Sequence, residues 1–185
     1  NYAFAALKTD GSVEVWGTSS LGGSNPGITS GVVAVYNTLY AFAALKTDGS
    51  VVAWGNTGFG GTDPGITSGV VAIYSNAYAF AALKTDGSVV AWGDTGFGGT
   101  TPGNVSSNVV AVYSNFGAFA ALKTDGSVVA WGDYYGSSAP SSVTAVNSGV
   151  VAVYSTGGAN GAAFAALKTD GSVVAWGNTG FGGTN

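Results

Sequence analysis

Residues 42–55 read FAALKTDGSVVAWG, and the pattern starts again at Phe4, Phe80, Phe119 and Phe164. Each copy sets two short apolar runs on either side of an Asp-Gly dipeptide, a strong local signal for a β-hairpin. With Asp48 and Gly49 as the central pair of a two-residue type I′ turn, AFAALK pairs with SVVAWG so that Leu45 faces Val52, Ala44 faces Ala53, Ala43 faces Trp54 and Phe42 faces Gly55. Large meets small on each rung. Side chains alternate across a strand, so Ala43, Leu45, Val52 and Trp54 share one face, and Phe42, Ala44, Lys46, Val51 and Ala53 the other. Both faces are apolar. An antiparallel sheet with one wet face alternates apolar with polar, so the pattern predicts sheets covered on both sides by neighbouring copies.

Residues 1–185 read as a single all-β repeat array of five units, with hairpins at 3–17, 41–55, 79–93, 118–132 and 163–177. Lys8, Lys46, Lys84, Lys123 and Lys168 mark the period, at spacings of 38, 38, 39 and 45 residues. Between hairpins lies a Gly-rich loop such as GFGGTDPGITS, then a third apolar run such as GVVAVY at 31–36, so a full repeat holds at least three strands. The fourth repeat departs from this plan, with DYYGSSAPSSVTAVNSG at 133–149 and TGGANGA at 156–162. In the first repeat Glu14 stands where the others carry valine, on the face of Trp16. A charge is not tightly buried without a partner, so this face is expected to be less covered than its equivalents. Five hairpins share only four valine-rich third strands, near Val32, Val70, Val109 and Val150. The expectation is an array that continues in a longer chain or associates with further copies of itself, head to tail.

Charged residues make up 8% of the chain and glycine fills 32 of its 185 positions, so solubility rests on Ser, Thr, Asn and Gly. Such a surface suits a secreted β-protein or one buried in an assembly. The net charge of -4 leaves no basic patch to release counterions from a phosphate backbone, which argues against nucleic acid as a partner. Without cysteine neither a disulfide framework nor a thiolate metal site can form, and without histidine the commonest catalytic base and metal ligand are missing. No stretch approaches the length of a membrane span.

The string VVAIYSNAYAFAALKTDGSVVAWGDTGFGG at 70–99 resembles the repeat of the regulator of chromosome condensation family. There a valine-rich strand leads into a small-residue strand, a DG turn, an aromatic strand ending in WG and a Gly-rich exit. The resemblance covers essentially the whole chain and implies a β-propeller of four-stranded blades; an open stacked-sheet array or filament is the alternative. The nucleotide-exchange activity of that family depends on features outside the repeat core, and no segment here carries them.

The recurring polar chemistry lies in the turns, where Asp10, Asp48, Asp86, Asp125 and Asp170 each follow a Lys-Thr pair. A catalytic Lys-Asp pair needs a buried, shifted lysine. A turn aspartate beside a lysine stem that covers the sheet edge satisfies the pattern more simply. Trp16, Trp54, Trp92, Trp131 and Trp176 offer either sugar-stacking platforms, as in lectin propellers, or packing between repeats; a tryptophan opposite alanine on an apolar face favours packing. Phe59, Phe97, Phe181, Tyr134 and Tyr135 lie in loops and are the candidates for exposed aromatic contacts. Asn104-Val105-Ser106 is the sole glycosylation sequon, and the Ser/Thr-rich loops around Pro26, Pro64, Pro102 and Pro140 suit O-linked glycans. Gly58 to Asp63 resembles a calcium-binding Gly-Asp repeat, but Thr101 and Asn185 replace the aspartate in matching copies, so no metal or other cofactor is expected. The sequence therefore points to an extracellular or cell-surface structural or adhesive repeat protein rather than an enzyme, with a lectin-like or protein-binding propeller module as the alternative.

Overall fold

The computed structural model describes residues 2–133, 135–156 and 162–184. Strands follow the apolar runs: β1 (Ala3–Leu7), β2 (Val13–Gly17), β3 (Val32–Asn37), β4 (Ala41–Lys46), β5 (Val51–Gly55), β6 (Val70–Ser75), β7 (Ala79–Lys84), β8 (Val89–Gly93), β9 (Val109–Ser114), β10 (Ala118–Lys123), β11 (Val128–Gly132), β12 (Val150–Ser155), β13 (Ala163–Lys168) and β14 (Val173–Gly177). β1 and β2 form a two-stranded sheet, and the rest group in order into four antiparallel sheets, β3-β4-β5, β6-β7-β8, β9-β10-β11 and β12-β13-β14. Helix among the described residues is confined to single turns, such as Thr57–Phe59 and Ser141–Thr144.

The hairpin turn is one residue longer than a type I′ reading of Asp-Gly requires. Lys46 N donates to Ser50 O at 3.0 Å and Gly49 N to Lys46 O at 2.9 Å. Thr47 and Asp48 thus form a type I turn, and Gly49 follows in the left-handed region at φ +76° as a one-residue bulge. Asp48 keeps a negative φ because its carboxylate caps the turn, accepting from Ser50 N at 2.9 Å and Ser50 Oγ at 2.6 Å. That slip re-pairs the whole hairpin. Leu45 faces Val51, Ala44 faces Val52, Ala43 faces Ala53 and Phe42 faces Trp54. The tryptophan is opposite phenylalanine, not alanine, and in the second copy the two rings stack at 5.4 Å. All five copies make this stack. One face now carries Phe42, Ala44, Val52 and Trp54, and the other carries Ala41, Ala43, Leu45, Val51 and Ala53.

Successive sheets pack the small-residue face of one against the aromatic face of the next. Ala41, Ala43, Leu45 and Val51 of the second sheet meet Ile73, Phe80, Ala82 and Trp92 of the third. The same joint recurs between third and fourth, and between fourth and fifth. Between first and second sheets, Val13 and Val15 meet Ala44, Phe42 and Trp54. Strands β3, β6, β9 and β12 adjoin one another in turn, so the sheets fan outward from a row of inner strands. A bulge in each inner strand, as between Val32 and Ala34, leaves Val33, Val71, Val110 and Val151 exposed along that row.

Each joint is closed by a hydrogen bond as well as by burial. Trp54, Trp92, Trp131 and Trp176 donate Nε1–H to the carbonyls of Gly22, Gly60, Gly98 and Gly136 in the preceding exit loop, each at 3.1 Å. A Cβ on Gly60 would lie 2.7 Å from the Phe80 ring, so only glycine lets the loop sit on the Phe-Trp pair. The four-stranded blade implied by the resemblance is not what forms: ladder pairing stops at three strands, and the loop adds a lone bond from Val51 N to Ile66 O at 3.0 Å. Pro64, two residues before Ile66, has no N–H to extend that pairing.

Burial separates the tryptophans sharply. Trp92 is 8% exposed and Trp16 is 50% exposed. Trp92→Ala is expected to destabilise the array by about 3–5 kcal/mol in denaturant-induced unfolding, the range for deleting a buried aromatic, and Trp16→Ala by under about 1 kcal/mol at low protein concentration.

Candidate binding surface

The two ends of the sheets differ in chemistry. At one end stand the five Lys-Thr-Asp-Gly turns. Each aspartate accepts from the serine two residues on, at 2.9 Å from the backbone N–H and 2.6 Å from the hydroxyl. The serine hydroxyl first, and then the serine N–H, hold these carboxyls below their ordinary value. In the first four turns the glycine carbonyl accepts from the first valine of the next inner strand, as Gly49 O does from Val70 N at 3.0 Å and Gly87 O from Val109 N at 3.0 Å. The turns that carry Asp10, Asp48, Asp86 and Asp125 are thus parts of the ties between sheets, and Asp170 caps its own turn in the same way. Lys123 Nζ likewise donates to a backbone carbonyl, that of Asn104, at 3.3 Å.

The opposite end carries a row of aromatic rings. Tyr40 and Tyr78 sit just before β4 and β7, Phe59 and Phe97 close the exit turns after β5 and β8, and Phe116 lies in the turn before β10. Tyr40 meets Phe59 at 4.9 Å, Phe59 meets Tyr78 at 5.5 Å, and Tyr78 meets Phe97 at 4.4 Å and Phe116 edge-on at 5.7 Å. All five rings are half-buried. The turns beneath them are tied across sheets, Leu39 N donating to Ala77 O at 2.9 Å and Ala77 N to Phe116 O at 3.1 Å. Exit loops are pinned to the same turns, through Thr38 Oγ1 to Phe59 O at 3.2 Å and Asn76 Nδ2 to Phe97 O at 2.7 Å. At the third such place the loop from Asp133 to Gly136 is one residue shorter than that from Asp94 to Gly98. Asn115 Nδ2 is buried there without a partner among the described residues.

The loop aromatics singled out in the sequence divide. Phe59 and Phe97 belong to the row, Tyr135 and Phe181 are exposed, and Tyr134 lies outside the described residues. Tyr40, Tyr78 and Phe116 were not legible as site residues. Their signal is an aromatic recurring at or next to the position before AFAAL. Trp54, Trp92, Trp131 and Trp176 are buried, whereas Trp16 is exposed. Asn104 is exposed on the turn Gly103–Val105.

No protein-family model and no curated protein sequence matches the chain. Solved structures do. The ectodomain of the Physcomitrella patens receptor kinase CR4 superposes with a TM-score of 0.62 at 16% identity, over 96% of this chain and 50% of its own. Yeast RCC1 (Prp20), in its complex with Kap60, gives 0.61 at 19% identity over 95% and 54%. The fold is an RCC1-like β-propeller. The CRINKLY WD40 ectodomain of the Arabidopsis thaliana receptor kinase ACR4 adds a TM-score of 0.58 at 17% identity, over 95% of this chain and 65% of its own. The chain thus spans half to two thirds of the propellers it matches, and its five sheets are blades. No helix among the described residues is long and apolar enough to cross a membrane.

Acid tests the role of the blade turns. A carboxyl whose folded value is lowered stabilises the fold above its ordinary unfolded value of 3.8, and that contribution is lost as pH falls through the lowered folded value. The Tm is therefore expected to be flat from neutrality to about pH 5 and to drop below about pH 4. Replacing Asp10, Asp48, Asp86, Asp125 and Asp170 together by asparagine, which keeps the accepting oxygen, should flatten the drop; an unchanged acid limb would assign it to other groups.

Proposed function

We propose that this chain is a non-catalytic binding module that holds a protein partner on the aromatic end of its propeller blades, and that it works outside the cell. The carrying observation is the row Tyr40, Phe59, Tyr78, Phe97 and Phe116, five rings in contact across three blades. Aromatic side chains supply large contact area at low entropic cost and dominate the energetics of protein interfaces. The backbone ties beneath the row pre-organise it, so little ordering remains to be done on binding. A sparsely charged, Ser/Thr/Asn-rich surface and the likeness in fold to two receptor ectodomains support an extracellular setting.

Peptides selected from a display library on the immobilised chain should compete with one another and lose at least 10-fold in affinity on Phe97→Ala, about 1.4 kcal/mol. Enrichment of peptides indifferent to Phe97→Ala and Tyr78→Ala, or binding confined to a glycan array, would move the function to another surface or to carbohydrate. In a eukaryotic secretory setting, the exposed Asn104 side chain should carry an N-linked glycan, read as a mass increase that Asn104→Gln removes.

A further inference from the structure

Every cationic side chain stands at one end of the blades. The chain has five lysines and no arginine or histidine, and all five lysines lie in the Lys-Thr-Asp-Gly turns, each beside an aspartate. The nine acidic residues are those five aspartates together with Glu14, Asp63, Asp94 and Asp133, so the turns balance and the net charge of -4 rests on the last four. Asp94 and Asp133 belong to the opposite, aromatic end. Each opens an exit loop and is tied through its backbone to a turn of the row, Asp94 N donating to Tyr78 O and Asp133 N to Gly117 O, both at 3.0 Å. Their carboxylates cap the loops, Asp94 Oδ1 accepting from Gly96 N at 2.8 Å and Asp133 Oδ1 from Gly136 N at 2.7 Å. Both residues are half-buried. Two carboxylates thus flank the rings, with no lysine at that end to answer them.

The rings are set to receive the missing charge. Tyr78 is their hub, 4.4 Å from Phe97, 5.5 Å from Phe59, 5.7 Å from Phe116 and 6.2 Å from Tyr40, at interplanar angles of 54°, 45°, 87° and 31°. None of these pairs is stacked, in contrast to the Phe-Trp pairs inside the joints. Tilted rings do not cover each other's π faces, and a π face is the negative side of the ring quadrupole. Building on the reading of this row as a protein-binding surface, we propose that the row selects a basic segment of the partner, whose arginine or lysine side chains pack on Tyr78 and Phe97 with their charge turned toward Asp94 and Asp133. Arginine suits the site best, since its planar guanidinium stacks on a ring and still presents donors to a carboxylate. An acidic segment meets like charge there, and an uncharged one gains contact area from the rings but nothing from the two carboxylates.

The other exit loops supply the control for a charge-only test. Asn56 and Asn178 hold the position of Asp94 in their own blades and make the same cap, to Gly58 N at 3.0 Å and Gly180 N at 2.9 Å, so Asp94→Asn removes a charge without removing that bond. Display-selected peptides that bind through the row, recognised by their loss of affinity on Phe97→Ala, should be rich in arginine and lysine and should bind less tightly as salt rises. Asp94→Asn should weaken them by about threefold or more, and Asn56→Asp, which sets a third carboxylate beside Tyr40, should tighten them by a similar factor. Exchanging the arginine of a bound peptide for citrulline, which keeps the shape and loses the charge, should cost about fivefold or more. Row-dependent peptides that lack basic residues, or whose affinity ignores salt and both cap variants, would overturn this proposal and leave the row standing as a binding surface. The absence of any row-dependent peptide would overturn both.

Discussion

The structure depends on one contact, an indole N–H donated to a glycine carbonyl across the gap between blades, with a phenylalanine ring stacked beneath the indole. A buried indole N–H needs an acceptor, and leaving it without one costs more than the bond returns when made. The exit loop supplies that acceptor only because glycine lets its backbone touch the Phe-Trp pair. Burial of the pair, satisfaction of the N–H and placement of the loop are thus one event. Every blade must have a predecessor in register for it to occur.

This constraint explains why so little charge suffices. Each inner blade is covered on both faces by its neighbours, and the polar requirements of the backbone are met by ties that run from blade to blade. The turn aspartates bind their own serines, freeing the glycine carbonyl at +76° φ to accept from the next inner strand. The aspartates at these turns are engaged in capping the hairpins. At the other end, the same blade-to-blade logic brings rings from turns and exit loops together, so that a surface rich in aromatic contact arises from residues far apart in sequence.

The fourth repeat shows how narrow the solution is. Its shortened exit loop still brings Gly136 O to Trp176 at 3.1 Å, so the joint is kept. The amide of Asn115, whose counterpart Asn76 finds a carbonyl at 2.7 Å, is left buried without one among the described residues. Loop variation is tolerated where it spares the glycine contact and is felt one layer away.

The sequence by itself determined that the chain is all-β, that hairpins recur five times, and that both faces of each sheet are apolar and stacked against neighbours, because period-two alternation and the Asp-Gly turn are local properties of consecutive residues. It also favoured packing between repeats for the tryptophans because each was read as facing alanine, whereas the structure sets each opposite phenylalanine. The register was not legible, since Asp-Gly serves a type I′ turn or a type I turn with a glycine bulge, and the serine that decides between them acts through a side-chain bond. From that single residue of slip follows the pairing of Trp54 with Phe42 instead of Ala43, and with it the joint. Only the tertiary structure decided that Tyr40, Phe59, Tyr78, Phe97 and Phe116 form one row, because that depends on how blades lie side by side, which no spacing within one repeat encodes.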